Sequence, residues 1–374
     1  MITITGTHNT AIVYTNTLDS GAEGQIKKLL ELPFLSDSKI RIMPDVHAGK
    51  GCTIGTTMTI ADKVIPNLVG VDIGCGMETV KLMNKRTDLP KLDSFIHANI
   101  PSGMTIRETP HKYITNTRLE ELRCKKDVYM QKGALGLGTL GGGNHFIEMD
   151  KDDEGCLYLV VHSGSRNLGL RVAQHYQDLA MKALENQTEI PYELAYCEGQ
   201  LMEDYLHDMQ IMQEFADWNR RAIVDTILSG CKLKEESRFS TIHNYIDIPH
   251  NILRKGAVSA QAGELLLIPI NMRDGALLCE GLGNPEWNYS APHGAGRLFS
   301  RADTKASFTL SAYKQAMSGI FSTTVNAETL DECPMAYKSE DDILSQIAST
   351  VKVMKRIRPI YNFKAGEPAK KRKV

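Results

Sequence analysis

The run Val69-Gly-Val-Asp-Ile-Gly-Cys-Gly-Met77 constrains this chain more than any other segment. It sets a carboxylate, Asp72, three residues from a thiol, Cys75, among Gly70, Gly74 and Gly76. Glycine admits tight or left-handed backbone that other residues resist, so a short kinked segment can aim both side chains at one point. A thiolate beside a carboxylate is costly unless a cation lies between them. The segment therefore predicts a metal site whose remaining ligands come from elsewhere in the chain.

Four further segments share one grammar, small residues around a reactive side chain. They are Asp45-Val-His47-Ala-Gly-Lys-Gly, Gly141-Gly-Gly-Asn144-His145-Phe146-Ile-Glu148, His162-Ser-Gly-Ser-Arg166 and His293-Gly-Ala-Gly-Arg297. A single histidine is more often a satisfied core or surface residue than a ligand. Four such segments together with Cys75 are hard to assign to chance. In two of them an arginine follows the histidine by four residues, and Arg254-Lys255-Gly256-Ala257 adds two more cations beside a glycine. The planar guanidinium fork suits phosphate oxygens. Metal ligands beside such cations predict phosphoryl or nucleotidyl transfer, in which cations offset charge developing in the transition state.

Two glycine motifs mislead. Gly136-Leu-Gly138-Thr-Leu-Gly141 fits G-x-G-x-x-G, but that fingerprint needs a strand before it and a helix after it, and more glycines follow here. Ala48-Gly49-Lys50-Gly51 lacks the spacing and the hydroxyl of a phosphate-binding Walker loop.

With 374 residues, 42% of them hydrophobic, the chain can bury a substantial core. A formal charge of −2 excludes a generic polycation but not a local basic patch. The 8 cysteines form no C-x-x-C pair, which argues against zinc-finger spacing and for reduced cytoplasmic thiols. Met1 to Ser20 is polar and lacks the apolar stretch of a secretory leader. No run approaches the roughly 18 apolar residues of a membrane span.

Lys39 to Met43 alternates in polarity and predicts a strand that delivers Asp45 and His47 to its end. Cys156 to Val161 and Leu265 to Ile270 predict buried strands, and Leu168 to Leu184 a helix. A long helix is expected over Tyr192 to Leu228 with Gly230 as its stop. Its stripe Tyr205, Met209, Met212, Ala216 and Asn219 reads as core, with Asn219 a polar residue that must find a partner. Recurrent glycine turns favour one compact α+β domain over residues 1–365. Mixed central sheets flanked by helices would carry the active site at strand ends and glycine-rich loops. Residues 366–374 form a basic tail that resembles a nuclear-import signal or an added sequence.

The runs Pro44-Asp-Val-His-Ala-Gly-Lys-Gly, Val71-Asp-Ile-Gly-Cys-Gly-Met, Leu140-Gly-Gly-Gly-Asn-His-Phe-Ile-Glu, His162-Ser-Gly-Ser-Arg, His243-Asn-Tyr, Arg254-Lys-Gly-Ala and His293-Gly-Ala-Gly-Arg resemble, in order, those of the RtcB family of RNA-splicing ligases. The resemblance extends from about residue 1 to Lys364. It implies a compact bacterial-type enzyme that uses GTP and two manganese ions. Such an enzyme joins RNA ends carrying a 2′,3′-cyclic phosphate or 3′-phosphate to 5′-hydroxyl ends, in RNA repair or tRNA splicing. It implies that Cys75 bridges two metals, with Asp72 and His145 completing one shell and His162 and His243 the other. Ligand softness alone would suggest zinc or iron, so manganese rests on the resemblance.

The same resemblance implies His293 as the nucleophile that becomes guanylylated. The resemblance also implies that Asp45 helps protonate the leaving 5′-oxygen in the cyclic-phosphate step or assists nearby proton transfer. Asn144, Phe146, Glu148, Gly294, Ala295, Gly296 and Lys364 would bind the nucleotide, with Phe146 stacking on guanine. Arg166, Asn219, Arg220, Lys255 and Arg297 would bind RNA or GTP phosphates. The implied partners are tRNA or ribosomal RNA, and archease or a translation-rescue factor as activator, in the cytoplasm and away from membranes.

Three departures stand out. The stretch from His243 to Arg254 is short and holds a second His-Asn, His250-Asn251, so the metal histidine is His243 or His250, with His243 the better match. The chain is compact for the family, and residues follow Lys364 where the family pattern ends. Two rival readings remain on the sequence. One is a metal-dependent phosphatase or nuclease that uses the same site without guanylylation. The other is a catalytically silent RNA-binding module, against which the complete set of Asp72, Cys75, His145, His162, His243 and His293 argues.

Overall fold

Two large sheets organise the chain in this computed structural model, which describes residues 1–49, 51–185 and 190–365. Lys50 and the basic tail lie outside the described residues. The six-stranded sheet is mixed, since Thr10–Val13 runs parallel to Ile40–His47 while its other pairs are antiparallel. The seven-stranded sheet is antiparallel throughout. Helices pack against these sheets in an α+β fold, the class expected from the sequence.

The strand Leu157–Ser163 is buried along its whole length in the interior of the seven-stranded sheet, third in the strand order. Alternation sends Leu157, Leu159 and Val161 to one face, where Ile223, Val224 and Ile227 of the long helix cover them. Tyr158 and Val160 point to the other face, against Met77, Leu267 and Ile357. His162 continues that second row and pairs with Met77 on one side and Phe146 on the other.

Antiparallel pairing also decides what meets at the end of this sheet. Gly76–Leu82 and Phe146–Lys151 begin where Leu157–Ser163 and Glu235–Ile242 finish. Cys75 and His145 immediately precede the first pair, and His243 immediately follows the last strand. Four ligand-type side chains far apart in sequence are thereby delivered to one sheet end.

The expected strand at Lys39 to Met43 forms as Ile40–His47 and runs through Pro44. Its pairing with Ile54–Thr59 is regular to Ile42, then shifts before His47 meets Ile54. This irregularity tolerates the proline and re-aims Asp45, as bulges beside functional sites commonly do. The predicted strands at Cys156 and Leu265 appear as Leu157–Ser163 and Leu265–Asn271, and the predicted helix at Leu168 as Arg166–Ala183. A short helix, Met130–Ala134, precedes Gly136 and a strand follows its loop, the reverse of a dinucleotide motif.

The long helix departs from expectation at both ends. It spans Gly199–Cys231, while Tyr192–Leu194 is a separate 3-10 turn and Cys197–Glu198 pairs as a strand with Lys63–Val64. Gly230 lies inside it, and the left-handed stop is Lys232, with φ 55°. The glycine serves packing, because a methyl there would overlap the Phe95 ring. Gly230→Ala is therefore expected to destabilise by about 1–3 kcal/mol through overpacking, despite alanine's better helix propensity. A lowered urea midpoint with unchanged slope would bear this out.

Candidate metal centre and nucleotide cavity

Cys75 Sγ lies 3.4 Å from His145 Nε2 and 3.3 Å from His162 Nε2. Asp72 Oδ2 lies 3.1 Å from His145 Nε2. His243 meets His162 edge to face at 5.2 Å between ring centroids and lies tilted against His293 at 4.8 Å. Two ligand groups result, Asp72–Cys75–His145 and Cys75–His162–His243, sharing the sulfur. The alternative histidine, His250, is exposed and bonded to Asp247, away from this cluster. Of the two, His243 lies in the cluster.

Electrostatics fit a cation here. Burial, joined by the neighbouring Asp72 charge, pushes the Cys75 thiol well above its usual range. Burial likewise holds the His162 and His243 imidazoles well below theirs, with their cationic neighbours adding to the effect. They are therefore neutral and carry lone pairs. Burial raises the Asp72 carboxyl, but the His145 hydrogen bond and the His145 and Arg166 charges outweigh it and bring it down to about 2. His243 Nδ1 is buried with no hydrogen-bond partner. A buried orphan nitrogen beside an inaccessible thiol is what a metal would satisfy. The grouping Asp152–Glu154–Cys156 differs, because the Lys355 and Lys85 ammonium groups already hold it.

The long helix braces this centre. Asn219 Oδ1 accepts from the backbone N–H of Gly138 and Thr139, at 2.7 and 3.1 Å. Its Nδ2 donates to Thr139 O, Ser163 Oγ and Gly164 O. Arg220 Nη1 donates to Gly74 O and Ser163 O. Both side chains are wholly buried. The expected phosphate contacts of Asn219 and Arg220 are corrected accordingly. These residues tie together the segments that carry Asp72, Cys75, His145 and His162.

Lys255 is also buried, with Nζ 2.6 Å from Cys52 Sγ and 2.9 Å from Asn67 O, so its expected phosphate contact is corrected as well. Arg166 is engaged by Thr139 Oγ1, Gly103 O and His145 Nδ1, and its guanidinium fills the space beside Gly141 that a side chain would need. Arg297 is the one residue of that expected set on the cavity wall described next, and there it bonds Phe299 O, Asp331 O and Tyr337 Oη.

Beside the cluster opens a cavity of about 920 Å³. Its wall includes every residue expected to bind nucleotide: Asn144, Phe146, Glu148, His293, Gly294, Ala295, Gly296 and Lys364. His293 stands between cavity and cluster. Its Nδ1 lies 2.6 Å from Asp45 Oδ2, which also accepts from the backbone N–H of His293 and Gly294 at 3.1 and 3.2 Å. Asp45 is fully buried behind the wall, so it supports the imidazole and does not face the cavity.

Sequence reasoning missed Glu332, Tyr337 and Lys338 on the cavity wall. Glu332, fully enclosed, gathers Lys364 at 2.7 Å, Arg301 at 2.6 Å, Arg297 at 3.3 Å and the Tyr337 hydroxyl at 2.7 Å. Burial raises its carboxyl, but the Lys364, Arg301 and Arg297 charges prevail and hold it at about 2. Glu332, Tyr337 and Lys338 lie in a segment without glycine grammar, so no local pattern singled them out. A carboxyl held below its unfolded value contributes stability that is present above about 4.5 and lost as pH falls toward about 2. Glu332→Gln is expected to destabilise by about 3 kcal/mol at neutral pH, because it leaves buried cations unpaired. The gap between wild type and variant should close as unfolding is repeated at falling pH.

A buried Cys/His/Asp centre that could hold a metal thus lies beside a large cavity, with a carboxylate-held histidine between them. Comparison of sequences gives the family. The model of tRNA-splicing ligase RtcB matches residues 25–365. RNA-splicing ligase RtcB of Escherichia coli K12 is 33% identical over 93% of this chain and 95% of its own length. The tRNA-splicing ligase RtcB of Aeropyrum pernix is 27% identical, covering 85% of this chain and 86% of its own. RNA-splicing ligase RtcB homolog 2 of Entamoeba dispar is 25% identical over 86% of this chain and 80% of its own. The chain belongs to the RtcB family.

Proposed function

We propose that this protein is a GTP- and manganese-dependent RNA ligase that joins 2′,3′-cyclic phosphate or 3′-phosphate ends to 5′-hydroxyl ends through a guanylyl-histidine. The observation that carries this reading is the placement of His293. It forms the cavity wall, its Nδ1 is bound to Asp45, and its ring lies against His243 of the cluster.

The tautomer follows from the partner. A proton on Nδ1 donated to Asp45 leaves the lone pair on Nε2. That nitrogen attacks the α-phosphorus of GTP. The N–P bond forms as the bond to pyrophosphate breaks. The guanylyl group then passes from His293 to the RNA 3′-phosphate, a cyclic phosphate having first been opened by water. The 5′-hydroxyl attacks the activated phosphate and GMP leaves. Asp45 thus acts by holding the imidazole and offsetting its charge when it becomes a cation. Divalent ions held by Asp72, Cys75 and His145, and by Cys75, His162 and His243, would offset negative charge on the reacting phosphates.

Glu148 and Lys364 supply an acceptor and a donor for the edge of guanine, and Phe146 a ring beside them. Lys364 Nζ lies 5.6 Å from the Phe146 ring centre and is held by Glu332. Arg297 is the residue of the expected phosphate-binding set with access to a phosphate in the cavity. RNA is the proposed partner, with tRNA or ribosomal RNA as substrates in repair or splicing. An activator such as archease or a translation-rescue factor, and a cytoplasmic setting, are carried by the resemblance. No helix among the described residues is long and apolar enough to cross a membrane.

The test supplies an RNA with a 2′,3′-cyclic phosphate and one with a 5′-hydroxyl, together with manganese, with and without GTP. Joined product that requires GTP is expected. GTP-independent release of phosphate or shortened RNA would instead support the phosphatase or nuclease reading.

A further inference from the structure

The strand bulge that carries Asp45 and the loop that carries His293 belong to different parts of the chain, and beyond the Asp45 carboxylate itself one further residue, Lys338, bonds to both. Lys338 Nζ donates to Pro44 O at 2.8 Å and to Val46 O at 3.4 Å, the carbonyls on either side of Asp45. The Lys338 backbone N–H donates to Gly296 O at 3.1 Å, and Leu298 N–H donates to Ala336 O at 2.8 Å. Gly296, at φ 77°, packs so closely on the Asp45 carbonyl that no side chain fits there. Lys338 is buried yet reaches the cavity wall. Its ammonium is also a cation near the enclosed Asp45 carboxylate, where an isolated anion would be costly.

We propose that Lys338 is a positioning residue for guanylyl transfer, its ammonium clamping the Asp45 bulge against the His293 loop so that the imidazole is fixed for attack. The proposal rests on the reading of His293 as nucleophile. A methionine at 338 keeps the chain length but offers no donor to Pro44 O or Val46 O. An arginine keeps both charge and donors. Loss of the clamp alters aim, and a small misplacement of a reacting group costs on the order of a hundredfold in rate.

The experiment measures covalent labelling of the full chain by α-labelled GTP over a range of GTP concentrations, for wild type, Lys338→Met, Lys338→Gln and Lys338→Arg. Manganese binding and thermal unfolding are measured in parallel. Lys338→Met is expected to lower the maximal labelling rate on the order of a hundredfold, with half-saturating GTP and manganese affinity unchanged. Lys338→Arg is expected to recover most of that loss, and Lys338→Gln, which keeps one donor, to fall between. Should Lys338→Met fail to fold, the same ordering of Gln below Arg carries the test. Wild-type labelling by Lys338→Met or Lys338→Gln would overturn the proposal alone. Losses that track manganese affinity or thermal stability would overturn it in favour of fold support. A wild-type protein that takes no label would overturn the guanylylation reading and this proposal with it.

Discussion

Cys75→Ala is expected to abolish metal binding and guanylylation together. The sulfur is common to both ligand groups, so its loss strips a ligand from each. Unmetallated, the thiol is held protonated by burial and by Asp72, so it has no independent role as an anion. Cys75→Ser separates volume from charge. The hydroxyl fits the space but does not ionise at neutral pH, so this variant should behave as Cys75→Ala does. Metal binding must displace the thiol proton, so affinity in the wild type is expected to weaken as pH falls. Equilibrium manganese titration of both variants, with GTP labelling alongside, checks the prediction. Wild-type manganese affinity in Cys75→Ser would contradict the shared-sulfur account.

His293→Ala is expected to do something different: block guanylylation while sparing the metal. His293 belongs to neither ligand group. Its ring contacts His243, but its Nδ1 is bound to Asp45. Removal of a covalent nucleophile costs on the order of a million-fold in turnover. Labelling should therefore fall to background, whereas manganese titrates as in the wild type. Joint loss of metal and labelling would place His293 among the ligands and remove the nucleophile assignment.

The site was more legible in the sequence than the fold around it. Asp72, Cys75, His145, His162 and His293 each lie in glycine-rich segments, and glycine there reflects close approach, of backbone at Gly76 and Gly296 and of the Arg166 guanidinium at Gly141. His243 lacks that setting, and it is burial and antiparallel register that put it, and not His250, beside the other candidate ligands. The resemblance implied phosphate contacts for Asn219 and Arg220, whereas the helix pattern alone reads Asn219 as a core polar residue that must find a partner. Those partners turned out to be backbone groups of loops more than 50 residues away. No local pattern encodes that. Glu332 and Lys338 were invisible for a related reason, since their roles arise only when distant segments close on them. The helix stop at Gly230 was misread because glycine can signal either a terminus or a close contact, and Phe95 settles which.

The central claim is that His293 carries the guanylyl group. The protein would be incubated with α-labelled GTP and manganese, denatured, digested and mapped for label. The account predicts label on the peptide containing His293, stable to denaturation and released by acid as GMP. A metal-loaded protein that takes up no label, or takes it up on another residue, would contradict it.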